Sequence, residues 1–158
     1  MLKQWTGVWI GLTLFSALSV SGLTFFRNPN VGLGIIIGEP TGLSMDFVLS
    51  KHNSIAAAAA WSFDGDPSLQ AHLDYLFRAR DLITIDRTAI PLYFGVGGRV
   101  KTSPDERIGV RFPVGMQFAL GRSPMEAFFE LAPVLDIAPE SRLSFNAAVG
   151  LRGYFRVG

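Results

Sequence analysis

The chain has 158 residues, enough for one domain, and its formal net charge of +1 leaves no electrostatic footprint for a nucleic acid or an anionic membrane surface. Only 17 % of the residues are charged and the mean hydropathy is +0.32, whereas a soluble surface carries charges at about a quarter to a third of its positions. The chain contains no Cys, which excludes a disulfide scaffold and thiolate metal sites.

The first 26 residues have the layout of a secretory signal. Lys3 is the only charged residue before Arg27, and the apolar run TGVWIGLTLFSALSVSGL between them ends in small residues. We expect residues 1–22 to be a signal peptide cleaved near residues 19–22, and residues 23–158 to form the exported domain. A retained transmembrane helix is the alternative, because about 20 apolar residues suffice to cross a bilayer.

From residue 31 onward, eight stretches alternate between apolar residues and small or polar ones. They span residues 31–38, 42–50, 54–63, 69–78, 90–101, 106–119, 125–136 and 142–155. Six of the seven connectors are short and rich in turn-forming residues, as tight antiparallel hairpins require. The fourth connector, RARDLITIDRTA, is longer, and we expect Leu82–Ile85 within it to extend the neighbouring strands. The pattern predicts an all-β, eight-stranded antiparallel up-and-down barrel, which closes on itself and so has no exposed edges.

The sixth stretch shows the alternation most clearly. In RIGVRFPVGMQFAL, one face carries Ile108, Val110, Phe112, Val114, Met116 and Phe118. The other face carries Arg107, Gly109, Arg111, Pro113, Gly115 and Gln117. A period of two is typical of a strand whose two faces meet different surroundings, but it does not say which face is inside.

Side-chain volume decides which face points inward. An eight-stranded barrel is only just wide enough for its inward side chains to fill it, so the large hydrophobic residues would overpack the interior. Lipid-facing hydrophobic residues and a small, polar interior satisfy both the volume and the low charge content. We therefore predict a transmembrane barrel, with a soluble ligand-binding barrel as the alternative. Aromatic residues near the strand ends are expected at the membrane interfaces: Trp61, Phe63, Phe77, Phe118 and Phe155.

The predicted interior contains a nearly balanced set of charges together with one imidazole. Its members are Asp46, His72, Asp74, Arg99, Arg111, Glu130 and Arg152. Buried charges persist only when they are paired, so we expect a network that bridges strands across the barrel. This network either plugs the barrel or lines a narrow passage for ions. Pro113 and Pro133 interrupt neighbouring strands, and we expect a shared bulge or bend there.

The last strand, NAAVGLRGYF, resembles the closing strand of the small eight-stranded outer-membrane β-barrels, the OmpA/OmpX/OmpW-like superfamily of Gram-negative bacteria. The resemblance implies that Gly150, Leu151, Arg152 and Phe155 form the signal read by the barrel-assembly machinery. Here Arg156, Val157 and Gly158 follow the Phe, where such chains commonly stop. It also implies an outer-membrane location, a monomer surrounded by lipid and lipopolysaccharide, periplasmic chaperones during biogenesis, and termini in the periplasm. The outer loops are then short, which argues against an adhesin.

The expected role is structural, in maintaining the cell envelope, and three alternatives stay open. A narrow ion or small-solute channel requires an open interior. A lipid-modifying enzyme, an activity known on such barrels, requires a nucleophile near an imidazole, and His72 beside Asp74 is the best placed. The third alternative is the soluble ligand-binding barrel. We assign no catalytic residue, no cofactor and no metal site, because the chain has only two His and no Cys.

Overall fold

The computed structural model describes residues 30–38, 41–62, 68–102 and 106–157. The regular elements in these ranges are β-strands: β1 Asn30–Gly38, β2 Gly42–Val48, β3 Asn53–Ser62, β4 Ser68–Ile85, β5 Thr88–Thr102, β6 Arg107–Arg111, β7 Val114–Ala119, β8 Met125–Ala138 and β9 Arg142–Arg156. No helix within the described residues is long and apolar enough to cross a membrane. The expected signal peptide, residues 1–22, and Phe63 lie outside the described residues.

The strands form one closed antiparallel sheet. Each strand pairs with the next along the chain, except that β6 and β7 do not pair with each other, and β1 pairs with both β2 and β9. Strands β6 and β7 are two halves of one barrel strand, because both pair with β5 on one side and β8 on the other. The prediction of an eight-stranded antiparallel up-and-down barrel is therefore confirmed.

The sixth barrel strand is interrupted at Phe112 and Pro113 without a change of register. Arg111 pairs with Val134 and Val114 pairs with Leu131, so the residue-by-residue pairing continues across the gap. The carbonyl of Pro113 and the amide of Phe112 still make backbone hydrogen bonds of 2.9 Å, and only the donor that proline lacks is missing. The predicted bulge at Pro113 and Pro133 is wrong, and the register shifts between Ile108 and Gly109 instead.

The two faces of the sheet separate large hydrophobic side chains from small and polar ones. Phe112, Leu131 and Leu151 point away from the barrel axis and are 46 %, 50 % and 41 % exposed. Arg111 and Glu130, on the alternate positions, are almost fully buried. A few apolar side chains also fill the interior: Ile36, Leu76, Phe128 and Val134.

Three aromatic side chains inside the barrel each lie beside a glycine on the neighbouring strand. The register pairs are Tyr93 with Gly115, Phe128 with Gly150, and Tyr154 with Gly32. A Cβ atom at any of these glycines would meet the facing ring. Large rings therefore fit into this narrow interior because the facing strand carries no side chain at these positions.

The hairpin between β4 and β5 extends past the rest of the barrel. Strand β4 continues to Ile85, as expected from Leu82–Ile85, but its pairing with β3 ends at Phe77. The register of β4 against β5 shifts between Ala79 and Ile83, opposite Pro91. The hairpin lies at the end of the barrel where β1 begins and β9 ends, which we call the terminal end.

Candidate functional site

The charged interior contains most of the side chains that could take part in binding or catalysis. All seven side chains that the sequence assigns to it are buried: Asp46, His72, Asp74, Arg99, Arg111, Glu130 and Arg152. The buried charged residues also include Arg78 and Asp136, so four carboxylates face four guanidinium groups. The structure places all of these charged groups except Arg152 in three clusters along the barrel.

The central cluster is built around Arg111. Its Nε donates to Asp74 Oδ2 at 2.8 Å, and its Nη2 donates to Glu130 Oε1. The Tyr93 hydroxyl donates to Glu130 Oε2 at 2.7 Å. The four residues come from β4, β5, β6 and β8, and Arg111 is 1 % exposed. The cluster therefore ties four strands together across the interior and fills it with side chains.

A second cluster lies toward the terminal end. Arg78 Nη2 donates to Asp46 Oδ2, and the Tyr154 hydroxyl lies 2.8 Å from the same oxygen. The Tyr154 hydroxyl also lies 3.1 Å from Glu126 Oε1. Sequence reasoning did not single out Arg78, although it continues the inward alternation of β4 through His72, Asp74 and Leu76. The same alternation therefore contained the signal for Arg78.

The third cluster lies toward the opposite end of the barrel. Arg99 Nη2 donates to Asp136 Oδ1 and lies 3.4 Å from the Ser144 hydroxyl. Arg99 Nη1 lies 3.4 Å from the side-chain oxygen of Asn146. These contacts join β5, β8 and β9. Side chains from at least three strands therefore meet in every one of the three clusters.

Arg152 differs from the other interior arginines. No carboxylate of the described residues forms a salt bridge with it. Its Nε donates to the Ser44 hydroxyl at 3.0 Å, and its guanidinium carbon lies 3.9 Å from the centre of the Phe128 ring. A cation over an aromatic face is stabilised by the negative charge of the ring face. Arg152 is thus held by a hydroxyl and a ring.

His72 lies beside the central cluster but does not form a catalytic arrangement with it. Its Nε2 is 3.7 Å from Asp74 Oδ2, beyond hydrogen-bond distance, and no side-chain hydrogen bond to His72 is found in the described part of the chain. The hydroxyl of Ser44 accepts from Arg152, and that of Ser144 is near Arg99. The described geometry therefore gives His72 no paired nucleophile of the kind that acyl transfer requires.

Three interior side chains are close enough to one another to be considered as metal ligands. One ligand atom from each of His72, Asp74 and Glu130 lies within 4.8 Å of the other two. Arg111 already donates to both carboxylates, so a metal ion would compete with a guanidinium for them. The arrangement is better explained as an ion-pair network whose cation is Arg111.

The residues that the resemblance assigns to assembly lie on β9. Leu151 and Phe155 point outward and Arg152 points inward, while Gly150 lies against the Phe128 ring. Strand β9 continues through Arg156 and closes the barrel by pairing with β1. Leu151 and Phe155 therefore belong to the apolar outer face, whereas Arg152 belongs to the charged interior.

No protein-family model matches the chain, and no curated protein matches it. Among solved structures, it is similar to the crystal structure of the N-terminal β-barrel domain of Pseudomonas aeruginosa OprF, with a TM-score of 0.57 and 10 % sequence identity. The likeness covers 82 % of this chain and 98 % of that one. At this identity the likeness shows the fold alone, a β-barrel.

Proposed function

We propose that the chain is an integral outer-membrane β-barrel with a structural role in the cell envelope. The observation that carries this proposal is the combination of an apolar outer face with an interior filled by paired charges. Water does not solvate such an outer face well, whereas lipid does. In a closed barrel the backbone polar groups of the membrane-spanning strands pair within the sheet, as a bilayer requires.

The remaining parts of the proposal rest on the resemblance of the last strand to that of small outer-membrane barrels. The termini face the periplasm, and lipid and lipopolysaccharide surround a monomeric barrel. The structural role that we propose includes no enzymatic activity. The assembly machinery reads the signal in β9, after periplasmic chaperones have delivered the chain. The residues of this signal are Gly150, Leu151, Arg152 and Phe155. The Ser44 hydroxyl accepts from Arg152 and the Ser144 hydroxyl lies near Arg99, which favours a structural role for these two hydroxyls.

Membrane integration is tested by gel mobility and fractionation. The chain is refolded into detergent micelles, and boiled and unboiled samples are compared on a detergent gel. We expect the unboiled barrel to migrate differently, because it stays closed until heated, and the expressed protein to fractionate with the outer membrane. Full solubility without detergent, with equal mobility of both samples, would instead support the soluble ligand-binding barrel.

A narrow ion passage is the second candidate. Several buried atoms of the interior side chains have no hydrogen-bond partner among the residues that the structure describes, including Asp74 Oδ1, Arg111 Nη1 and Asp136 Oδ2. Such atoms are usually satisfied by water, which would make the interior partly hydrated. This observation favours a passage, whereas the buried cluster around Arg111 favours a closed barrel.

Conductance in planar bilayers separates the two candidates. If the central cluster closes the barrel, the wild-type protein carries no steady current. A variant that combines Asp74→Ala, Arg111→Ala and Glu130→Ala should then conduct, because it removes the side chains that fill the centre. Gel mobility of the same sample shows whether this variant is folded. Steady wild-type current would support the ion passage and contradict the closed barrel.

A further inference from the structure

The most distinctive feature outside the charged interior is a two-stranded ribbon at the terminal end. We define the ribbon as residues 83–90, in which Ile83–Ile85 pair with Thr88–Ile90 around a turn at Asp86 and Arg87. Within the described part of the chain its β4 side has no partner, because β3 pairs with β4 only as far as Phe77. Its β5 side has none among the described residues, because β7 pairs with β5 only as far as Leu92.

A ribbon of this kind needs a surface to pack against. Two-stranded hairpins are marginally stable in water when they stand alone. This ribbon also carries large apolar side chains, and Ile83 and Ile85 are 42 % and 56 % exposed. Open strand edges with exposed isoleucines would favour aggregation if they remained in water.

The outer apolar face of the barrel continues onto the ribbon. Phe77 of β4 and Phe94 of β5 stack on this face, with ring centres 5.6 Å apart. The alternation of β5 is unbroken from Phe94 to Ile90, and Ile90 pairs with Ile83. Ile83, Ile85 and Ile90 therefore lie on the same side as the lipid-facing wall, while Thr84 and Ala89 lie on the other side.

The exposed charges at the terminal end are mostly positive. Among the described side chains, the exposed charged residues in the turns and at the chain end are Lys51, Asp86, Arg87, Arg122 and Arg156. Four of these five are cations, although the net charge of the whole chain is only +1. The net charge alone therefore hides a local surface that complements anionic headgroups.

We propose that the ribbon rests on the membrane leaflet at the terminal end, with its isoleucines in the interface and nearby cations on anionic phospholipid headgroups. This inference rests on the proposed membrane location of the barrel. The polar layer of each leaflet is about 5–8 Å thick, and a strand rises about 3.3 Å per residue. The ribbon therefore fits this layer only when it is inclined to the membrane plane. The register shift beside Pro91 provides the bend, because a bulge turns the strand that contains it.

Site-directed spin labelling tests the proposal directly, because the chain has no Cys and each introduced thiol is unique. The labels are placed at Ile85→Cys on the proposed lipid side, at Thr84→Cys on the other side, and at Val96→Cys on the barrel wall. Each refolded protein is measured in vesicles of phosphatidylcholine with phosphatidylglycerol. Collision with oxygen reports lipid contact, and collision with a water-soluble nickel chelate reports exposure to water.

We expect the label at Ile85 to resemble the label at Val96, with oxygen collisions dominant, and the label at Thr84 to collide more with nickel. Equal nickel access at Ile85 and Thr84, with Val96 still in lipid, would overturn the ribbon proposal and leave the membrane barrel intact. Nickel access at Val96 would contradict the membrane location itself. Dipolar broadening between Ile85 labels of two molecules would show that a second copy covers the ribbon, which also overturns the proposal.

A pair of substitutions tests whether cations at the terminal end contact the headgroups. In vesicles with phosphatidylglycerol, Arg87→Gln should raise nickel access at the Ile85 label by about fivefold, because each surface cation contributes about that factor to headgroup attraction. Arg142→Gln removes an exposed cation at the opposite end of the barrel and should leave the Ile85 label unchanged. An equal effect of the two substitutions would overturn the assignment of headgroup contacts to this end.

Discussion

The ring of Tyr93 lies over Gly115, its register partner on the neighbouring strand. This position allows the Tyr93 hydroxyl to reach Glu130, which in turn accepts from Arg111. The central ion-pair network thus depends on a glycine that itself carries no functional group. A β-strand loses little by having glycine here, because the aromatic ring covers the exposed backbone.

Replacing Gly115 by alanine should destabilise the barrel. The new Cβ would overlap the ring of Tyr93, and overpacking of a buried position costs about 1–3 kcal/mol. We expect the free energy of unfolding to fall by that amount in urea titrations of the protein refolded in vesicles. Gly98→Ala in β5 is the matched control, because nothing lies within 4 Å of a Cβ there. Equal stability of the two variants would show that Tyr93 does not require the glycine.

Replacing Arg111 by methionine should be among the most damaging changes in the interior. It leaves Asp74 and Glu130 buried without their shared cation, and breaking a buried pair in this way costs about 3–5 kcal/mol. The same urea titration measures the loss. Arg142→Met removes an exposed arginine of β9 and is the control, with an expected change within about 0.5 kcal/mol. A loss at Arg111 no larger than the loss at Arg142 would contradict the network.

Replacing Arg152 by methionine should cost less than replacing Arg111. No described carboxylate forms a salt bridge with Arg152, so its removal ends one hydrogen bond to Ser44 and one contact with the Phe128 ring. Together these contacts are worth about 1–2 kcal/mol. Unfolding both variants under identical conditions checks the order. A greater loss for Arg152→Met would mean that this arginine pairs with a carboxylate in the folded protein.

Alternation along single strands explains why much of the interior was predictable from the sequence. Asp46, Asp74 and Arg111 each occupy a position whose neighbours in the strand are large and apolar, so the side of the sheet follows from a period of two. Continuing the same count along β4 reaches Arg78. The length of β4 to Ile85 was also predictable, because apolar residues continue through the fourth connector.

The partners of each charge were not predictable, because they depend on the register between strands. Arg111 meets Asp74 and Glu130 while Arg99 meets Asp136, and nothing within a single strand distinguishes these pairings from others. A shift by two residues would preserve the inward face and change every pair. The bulge expected at Pro113 is absent, and this too depends on pairing between strands. The break in pairing absorbs the missing donor without a change of register.

Replacing Arg87 by glycine should stabilise the tip of the ribbon. Asp86 and Arg87 both have positive φ angles, of 48° and 68°, and a residue with a side chain pays about 1 kcal/mol for this conformation, whereas glycine adopts it freely. We expect amide hydrogen exchange across residues 83–90 to slow by about fivefold in a zwitterionic detergent, where headgroup charge plays no part. Arg122→Gly in the β7–β8 turn is the control, because Arg122 has no positive φ angle, and its turn should exchange no more slowly than before. Unchanged or faster exchange in the ribbon of Arg87→Gly would show that the strain at Arg87 does not limit its opening.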